Sequence, residues 1–271
     1  MSLLDWTSIE NSRHGITDSK KCTYKNNPLQ SSEFGKRTCM FKGMKMERRY
    51  ETKFSVIDLN RNEIENIIKT HPAMFHEIYS KRNVNNIYFD NSDLTSYIDN
   101  IEGERDRKKV RIRWYGNLFG PCKNPILEIK YKTGLLGWKE RHNLKDFNLD
   151  EEGHFNYKDI FDYLIESKKF DLYKLDLQFL TPTLLNRYER KYFLSFDKKY
   201  RITLDNQMEF YSINPVRDHF NTFADDEKTV IELKYNQQHA DGARSITTNF
   251  PFRVTKNSKY VIGVERLRNW K

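Results

Sequence analysis

Residues 110–115 of this chain read Val-Arg-Ile-Arg-Trp-Tyr, and the cations at every second position decide the fold. Successive side chains of a β-strand point to opposite faces, so Arg111 and Arg113 would lie side by side on one face, with the apolar side chains on the other. On a helix the two arginines would point in nearly opposite directions. The alternation therefore predicts a strand with one charged face.

The same alternation recurs in other parts of the chain. Similar period-two runs occur at residues 49–53, 128–130, 201–205 and 232–234, where charged or polar residues occupy every second position, and a related run, Tyr-Glu-Arg, stands at residues 188–190. Each segment is typical of a strand with one charged face. Two glycines and a proline within residues 117–124 separate residues 110–115 from a strand at residues 125–132, which predicts a hairpin.

Two segments have helical periodicity instead. Residues 60–79 begin with Asn60 and Glu63 in the spacing of a capping box and continue with an isoleucine stripe, and Pro72 is expected to end this helix or to begin a second turn. Residues 157–168 have apolar side chains at helical spacing. The other predictions are a strand at residues 84–90, a short helix or edge strand at 94–98, a charged connector at 103–109, a strand or loop at 138–141, a break at 181–182, a polar loop at 237–245 and a short C-terminal helix within 251–263.

The composition indicates a folded, basic protein. The 47 basic residues outnumber the 38 acidic ones, giving a formal charge of +9, and 14% of residues are aromatic, unlike a disordered chain. The positive charge favours an anionic partner such as nucleic acid, a phosphate-rich molecule or a membrane surface. The sequence has no run of about 18 apolar residues and no signal-peptide pattern, so we expect a cytoplasmic protein.

Residues 1–45 are rich in polar side chains without an apolar period, and they are predicted to form a tail or lead-in. Residues 46–271 are predicted to form one domain. The three cysteines lack CxxC spacing and the histidines lack an HExxH motif, which indicates neither a disulfide framework nor a zinc site. Since GxxxxGK[ST] and GxGxxG loops are also missing, any phosphate recognition would depend on side chains.

The charged faces of these strands predict one basic interior. We expect an α+β, mainly antiparallel fold: a closed sheet of about eight strands, a β-tunnel wide enough for a small ligand, with a few flanking helices. Its inner cations would be Arg49, Lys53, Arg111, Arg113, Lys130, Arg190, Arg201 and Lys234. Only four acids share that face: Glu51, Glu128, Asp205 and Glu232. Because a buried unpaired charge costs several kcal/mol, the surplus needs water or a bound polyanion.

The alternative is that these faces point outward as ordinary solvated surfaces, with the apolar residues in a sandwich core. Two observations favour the inner face. Cations and carboxylates interleave on the same side of several strands, and aromatic residues such as Trp114 and Phe193 alternate away from the cations.

The same residues resemble the VTC domain, the polyphosphate polymerase branch of the CYTH-like triphosphate tunnel enzymes. The resemblance covers about residues 46–265. Its motifs, in order, are Arg49-Tyr-Glu51-Thr-Lys53, Arg111-Ile-Arg113, Leu127-Glu-Ile-Lys130, Tyr188-Glu-Arg190, Arg201-Ile-Thr-Leu-Asp205, Ile231-Glu-Leu-Lys234 and Lys256-Asn-Ser-Lys259-Tyr. It implies an antiparallel β-tunnel whose basic residues bind a triphosphate and whose carboxylates hold a divalent metal.

The resemblance also implies roles for single residues. The phosphate ligands would be Lys53, Arg111, Arg113, Lys130, Arg190 and Arg201, joined by Lys139 and by Lys256 or Lys259. The metal, Mn²⁺ or Mg²⁺, would be bound by Glu232, with Glu51 and Glu128 assisting. Further tunnel-lining residues would be Tyr188, Thr203 and Asp205. Arg49 stands where tunnel hydrolases have the first acid of an ExExK motif, which suits holding a polyanionic product.

These features predict a phosphotransferase that moves the γ-phosphoryl group of ATP onto polyphosphate with the help of the metal. Two other functions are compatible with the same residues: hydrolysis of a triphosphate or nucleoside triphosphate, and non-catalytic binding of polyphosphate or nucleic acid. Because the aromatic residues alternate away from the cations, nucleic acid is not the expected partner. The expected partners are ATP or another triphosphate and polyphosphate, and the oligomeric state is open.

Overall fold

A computed structural model describes residues 49–134, 136–151, 157–159, 162, 179–213, 222–225 and 228–268. The predicted lead-in at residues 1–45, most of the predicted helix at residues 157–168 and the side chain of Arg49 lie outside the described part.

An antiparallel sheet dominates the described residues. The strands, in chain order, are β1 (Arg49–Val56), β2 (His76–Asp90), β3 (Asp106–Tyr115), β4 (Gly120–Cys122), β5 (Ile126–Thr133), β6 (Leu136–Asn143), β7 (Phe147–Leu149), β8 (Thr181–Leu194), β9 (Tyr200–Ser212), β10 (Thr222–Asp225) and β11 (Thr229–Asn236). Within the described chain nine of them form one sheet, in the order β1-β11-β9-β8-β2-β3-β5-β6 with β10 beside β9, while β4 pairs with β7. The predicted mainly antiparallel fold and the β3–β5 hairpin are confirmed.

The large sheet is strongly curled. Strands β1 and β5 are six steps apart in the sheet order, which would separate them by about 29 Å in a flat sheet with strands about 4.8 Å apart. Yet Lys130 Nζ on β5 lies 3.2 Å from Glu51 Oε2 on β1. Strands near the two ends of the sheet therefore face each other. Hydrogen-bonded pairing among the described strands ends at β1 and β6, so the predicted closure of the sheet is not confirmed.

The outer face of the curled sheet is apolar. Phe54, Trp114 and Phe193, which alternate with the charged residues, are at most 1% exposed. Burying side chains of this size stabilises the fold by roughly 1.5–3 kcal/mol each. The predicted outer position of these three aromatic residues is thus confirmed. Strand β8 is an exception to the one-sided charge pattern, because Glu189 and Lys191 lie on its outer side and pair with Arg61 and Glu65. Below, "inner face" means the curled face that presents Arg111 and Glu232.

The helices whose bounds the structure describes are α1 (Arg61–Lys69), α2 (Thr95–Glu102), α3 (Ala240–Thr248) and α4 (Lys259–Arg268), and they flank the sheet. The capping box of α1 is confirmed, since Asn60 Oδ1 accepts from the backbone N–H of Glu63 at 3.1 Å and Glu63 Oε2 accepts from that of Asn60 at 2.7 Å. Helices α1 and α3 pack on the outer core through Ile64 and Ile246. In the part of the chain that is described, none of the helices has the length and apolar character needed to cross a membrane.

Helix α4 packs on the other side of the sheet, against one end of the inner face. Tyr260 is buried and its hydroxyl donates to Asp90 Oδ2 at 2.6 Å. At Gly263 an added Cβ would lie 2.5 Å from Leu184 Cδ2 and 2.7 Å from Phe210 Cδ1. A glycine is therefore required for the helix to approach β8 and β9 this closely.

Several predicted boundaries are wrong. Helix α1 ends at Lys69, shortly before Pro72, but β2 begins at His76 rather than at Val84 and runs for 15 residues. The residues at the start of β2 are mainly polar, none of them is fully buried, and they show no apolar alternation, so pairing with β8 is what extends the strand. The predicted connector at residues 103–109 contains the start of β3, which pairing with β5 extends back to Asp106.

Three other predicted segments have a different structure. The break expected at residues 181–182 is the start of β8. Pro182 is tolerated there because it is the second residue of the strand and lies beside an irregularity in the register with β2. The loop expected at residues 237–245 is a 3-10 turn at Gln237–His239 followed by α3, which is stabilised by docking of Ala243 and Ile246. The C-terminal helix begins only at Lys259, because Val254 instead forms a β-bridge with Phe54.

Candidate functional site

Strand register places most of the predicted charged residues on the inner face. Arg111 lies directly opposite Glu128 on β5 and Tyr88 on β2. On the far side of the curled sheet, Glu232 lies opposite Lys53 and Thr203. Since opposite residues of paired strands share a face, these two groups point to the same interior.

The first group centres on Glu128, whose side chain is almost fully buried. Arg111 donates to Glu128 Oε2 through Nε at 2.9 Å and Nη2 at 2.5 Å, and through Nη1 to the hydroxyl of Tyr88 at 3.3 Å. Arg141 donates to Glu128 Oε1 at 2.9 Å, and Lys139 Nζ lies 3.6 Å from the same oxygen. Burial opposes ionisation of Glu128, but the surrounding cations outweigh it and hold its pKa well below the usual range.

The second group lies where β8, β9 and α4 meet. Arg190 donates to both carboxylate oxygens of Asp205, at 2.5 and 2.7 Å, and Lys259 Nζ lies 2.6 Å from Asp205 Oδ2. The same Lys259 ammonium lies 4.7 Å from the centre of the Tyr188 ring, whose hydroxyl accepts from Arg113 at 3.1 Å. Burial raises the pKa of Asp205, but Arg190 and Lys259 reverse this and lower it to about 2.

The third group surrounds Glu232, which is 8% exposed. Lys234 Nζ lies 2.7 Å from Glu232 Oε2, and Lys53 Nζ lies 3.5 Å from Oε1. Burial raises the pKa of Glu232, but Lys234, Lys53 and Arg190 together hold it well below the usual range. The hydroxyl of Thr203, directly across from Glu232, is buried without a hydrogen-bond partner in the described chain.

The predicted metal carboxylates do not converge on one point. Among the described residues no group of three His, Cys, Asp or Glu side chains could hold a metal. Glu232 and Thr203 are nevertheless direct neighbours on paired strands, and the Thr203 hydroxyl has no hydrogen-bond partner among the described residues. Mg²⁺ in phosphate sites is typically held by one or two carboxylates together with substrate phosphates and water. The residues therefore fit a divalent ion bound largely by phosphates, and do not fit an all-protein metal cage.

The remaining predicted residues lie at different depths. Lys130 is exposed and pairs with Glu51, and Arg201 lies opposite Lys234 and is partly buried. Of the two C-terminal lysines, only Lys259 reaches a buried acid, whereas Lys256 is exposed. The backbone of Arg49 pairs opposite Asn236 at the start of β1.

Sequence reasoning missed Lys109, which lies on the inner face two residues before Arg111. Burial, and then Lys53 and Lys130, lower its pKa to about 7. The signal was present, because Lys109, Arg111 and Arg113 continue one period of two. The run of charged residues at 103–109 favours a connector over a strand, so the sequence alone does not place Lys109 on the inner face.

The inner face is thus a basic trough in which acids hold arginine side chains in place. Arg111 and Arg190 each form two hydrogen bonds to a carboxylate, so their planes are fixed before any ligand arrives. Guanidinium groups and lysines of this kind match phosphate oxygens in charge and geometry. Such a surface can bind a linear polyanion and stabilise negative charge that develops on it.

Comparison with known proteins gives one family and several remote similarities. A family model described as VTC domain matches residues 48–268. Vacuolar transporter chaperone complex subunit 4 of Schizosaccharomyces pombe is 27% identical over 148 residues, which are 46% of this chain and 20% of that protein. The chain thus covers about a fifth of this relative.

Two solved structures are also similar. The PH1819 protein of Pyrococcus horikoshii OT3 is 14% identical with a TM-score of 0.43, over 82% of this chain and 99% of that one. HpAC1 of Hippeastrum, described as having a dominant triphosphatase activity, is 12% identical with a TM-score of 0.46, over 80% of this chain and 94% of that one.

Proposed function

This chain belongs to the VTC domain family, and from that premise we propose that its inner face binds ATP by the triphosphate and extends polyphosphate from it. The observation that supports this most directly is the arrangement of Arg111, Arg113 and Arg190 on one face, each already oriented by a hydrogen bond. Positively charged groups that are fixed in advance stabilise a phosphoryl-transfer transition state without reorganisation.

In the proposed reaction a terminal phosphate oxygen of the acceptor chain attacks the γ-phosphorus of ATP. The bond between the γ-phosphorus and the β–γ bridging oxygen breaks, and ADP leaves with that electron pair. The arginines bind the non-bridging oxygens of the transferring group, and Lys53 and Lys234 balance charge on the neighbouring phosphates. The acceptor oxygen is already ionised at neutral pH, so the chain needs no side chain as nucleophile or general base.

A divalent ion bound beside Glu232 and Thr203 would neutralise charge between adjacent phosphates. Of the three predicted metal carboxylates, Glu232 is the one we propose for this role. Glu128 is enclosed by cations, and we propose that it orients Arg111 and Arg141. The metal role of Glu51 stays a prediction.

The test is incubation of the purified chain with ATP and either Mn²⁺ or Mg²⁺, followed by gel electrophoresis of the products. We expect a ladder of polyphosphate and an equivalent amount of ADP. Release of free phosphate without a polymer would favour a triphosphate hydrolase in the same site. Binding of polyphosphate with no turnover of ATP would leave only a binding function.

A further inference from the structure

Lys109 is a partly buried cation that has no acidic partner among the described residues. In the β3–β5 pair it lies directly opposite another lysine, Lys130, which itself pairs with Glu51. The only hydrogen-bond partner of its ammonium among the described residues is the Ser258 hydroxyl, 2.9 Å from Nζ. Two lysines placed opposite each other repel, so this part of the inner face gains stability when an anion enters.

A segment that precedes α4, residues 254–258, crosses the end of the inner face at this point. The Thr255 amide donates to the Lys53 carbonyl at 2.8 Å, which ties the segment to β1. The Asn257 carbonyl accepts from Lys53 Nζ at 3.1 Å, while Ser258 accepts from Lys109. The segment therefore holds two ammonium groups, Lys53 and Lys109, at one end of the basic trough.

The surroundings of Lys109 are almost uniformly positive. The charges that act most strongly on Lys109 are all positive: Lys53 from β1, Lys130 from β5, and Arg107 and Arg111 from β3. The acid Glu51 from β1 is paired with Lys130, and the other titratable groups on this side are Tyr88 and Asp90 from β2 and Tyr260 from α4. Asp90 is already engaged, because its carboxylate accepts from the Tyr260 hydroxyl and from two backbone amides at the start of α2. Burial lowers the pKa of Lys109, and Lys53, Lys130, Arg107 and Arg111 lower it further, to about 7.

We infer that Lys109 and Ser258 form a phosphate subsite at the α4 end of the inner face, which binds one phosphate group of a polyphosphate chain and takes up a proton as it does so. The inference rests on the proposed function only in requiring that the inner face bind phosphates. Its ligand is a phosphate group of tripolyphosphate or of a longer chain. The lysine ammonium and the serine hydroxyl each donate a hydrogen bond to its oxygens.

The proton uptake follows from the lowered pKa of Lys109. Without a ligand, much of Lys109 is neutral above about pH 7. A bound phosphate brings negative charge to the ammonium and raises its pKa, so the lysine becomes protonated on binding. Below about pH 6 the lysine is already charged, and the uptake at this residue disappears.

The experiment is calorimetric titration of inorganic tripolyphosphate into the full chain at about pH 8, in two buffers with different ionisation enthalpies. The difference in heat gives the number of protons taken up. Lys109→Arg keeps the positive charge at all pH values. We therefore expect its affinity for tripolyphosphate to be within a few-fold of wild type, and its proton uptake on binding to be smaller. Lys109→Met should bind roughly tenfold or more weakly, and also with a smaller uptake.

Controls separate this subsite from the rest of the inner face. Lys108→Met removes the same charge one position away, where the side chain belongs to the opposite face, and should bind like wild type. The pKa of Lys139 is also lowered to about 7 by burial. Proton uptake by Lys139 is common to wild type and all of these variants, so it does not affect the differences between them. Ser258→Ala should weaken binding by a few-fold, and thermal melting checks that each variant is folded.

The outcomes distinguish the subsite from the proposed function. The proposed subsite is wrong if wild type and Lys109→Met bind tripolyphosphate equally well. It is also wrong if Lys109→Arg takes up as many protons as wild type. In both cases the proposed function stands. If wild type does not bind tripolyphosphate at all, both are wrong.

Discussion

At the scale of single residues, Glu232 is the carboxylate whose position separates a metal role from a purely structural one. It is buried between Lys53 and Lys234, and the unpartnered hydroxyl of Thr203 lies opposite it. A carboxylate that only balanced two lysines would weaken phosphate binding, because it repels the ligand. A carboxylate that holds a metal ion would instead be needed for turnover.

The variant Glu232→Gln tests this distinction. We expect ATP turnover with Mn²⁺ or Mg²⁺ to fall at least roughly tenfold, because the metal loses its carboxylate. Binding of tripolyphosphate without metal should stay the same or become tighter, because a negative charge is removed from the site. Turnover assays and calorimetry measure the two effects, with the exposed Glu265→Gln as control. Unchanged turnover would exclude Glu232 as the metal carboxylate.

Asp205 predicts how stability depends on pH. Its pKa is lowered to about 2 in the folded chain, against an ordinary value of 3.8, by Arg190 and Lys259 acting against burial. A lowered pKa means that the stabilisation is complete above about pH 4 and is lost as the pH falls toward 2. The linked contribution is about 2 kcal/mol.

Urea unfolding of wild type and Asp205→Asn at a series of pH values between about 5 and 2 measures this effect. We expect the variant to be less stable at pH 5 and to lose less stability on acidification than wild type. An identical pH dependence in the two proteins would contradict the assignment.

At the scale of elements, α4 depends on one close approach to the sheet. The missing side chain of Gly263 lets the helix contact Leu184 and Phe210 directly. Tyr260 and Lys259, on the same helix, reach the buried acids Asp90 and Asp205. The position of α4 therefore fixes Lys259 and the preceding serine at the inner face.

Gly263→Ala should displace α4 even though alanine favours helix formation. An added Cβ at 2.5–2.9 Å from buried side-chain carbons forces them to move, which costs about 1–3 kcal/mol. Chemical denaturation measures the loss, and the exposed Glu265→Ala on the same helix is the matched control. Equal stability of Gly263→Ala and wild type would show that the contact of α4 with Leu184 and Phe210 has room for an added methyl group.

At the scale of the whole molecule, the curl of the sheet gathers basic side chains from strands that are distant in its order. The three groups on the inner face together hold more cations than acids, so the acids offset only part of the repulsion among the cations. A bound polyanion removes repulsion between strands β1, β3, β5, β8 and β11 at the same time. Ligand binding and folding stability should therefore be linked.

Tripolyphosphate should raise the melting temperature of the chain. At a concentration about 100 times the Kd, binding to the folded state adds about 2.7 kcal/mol, which corresponds to roughly 5–10 °C for a domain of this size. Differential scanning fluorimetry measures the shift, and sodium sulfate at equal ionic strength is the control. An equal shift with sulfate would mean that the inner face has no specific affinity for linked phosphates.

The charged side of β1, β3, β5 and β11 could be predicted from the amino-acid sequence alone, because the alternation has a period of two and needs only the local geometry of a strand. For the same reason the sequence predicted the capping box of α1 and the β3–β5 hairpin. It failed where the signal is not local: the polar start of β2, the start of β3 at Asp106 and the short helix α3 exist because of what they pair with or pack against.

Which charged groups meet on the inner face could not be predicted from the sequence, because it depends on long-range contacts. The pairing of Arg190 with Asp205 and of Arg111 with Glu128 follows from strand register, and the contact between Lys130 and Glu51 follows from the curl of the sheet. The place of Lys259 depends on α4. These contacts join residues far apart in the chain, and their energies depend on burial and on neighbouring charges, neither of which is a property of a short stretch of sequence.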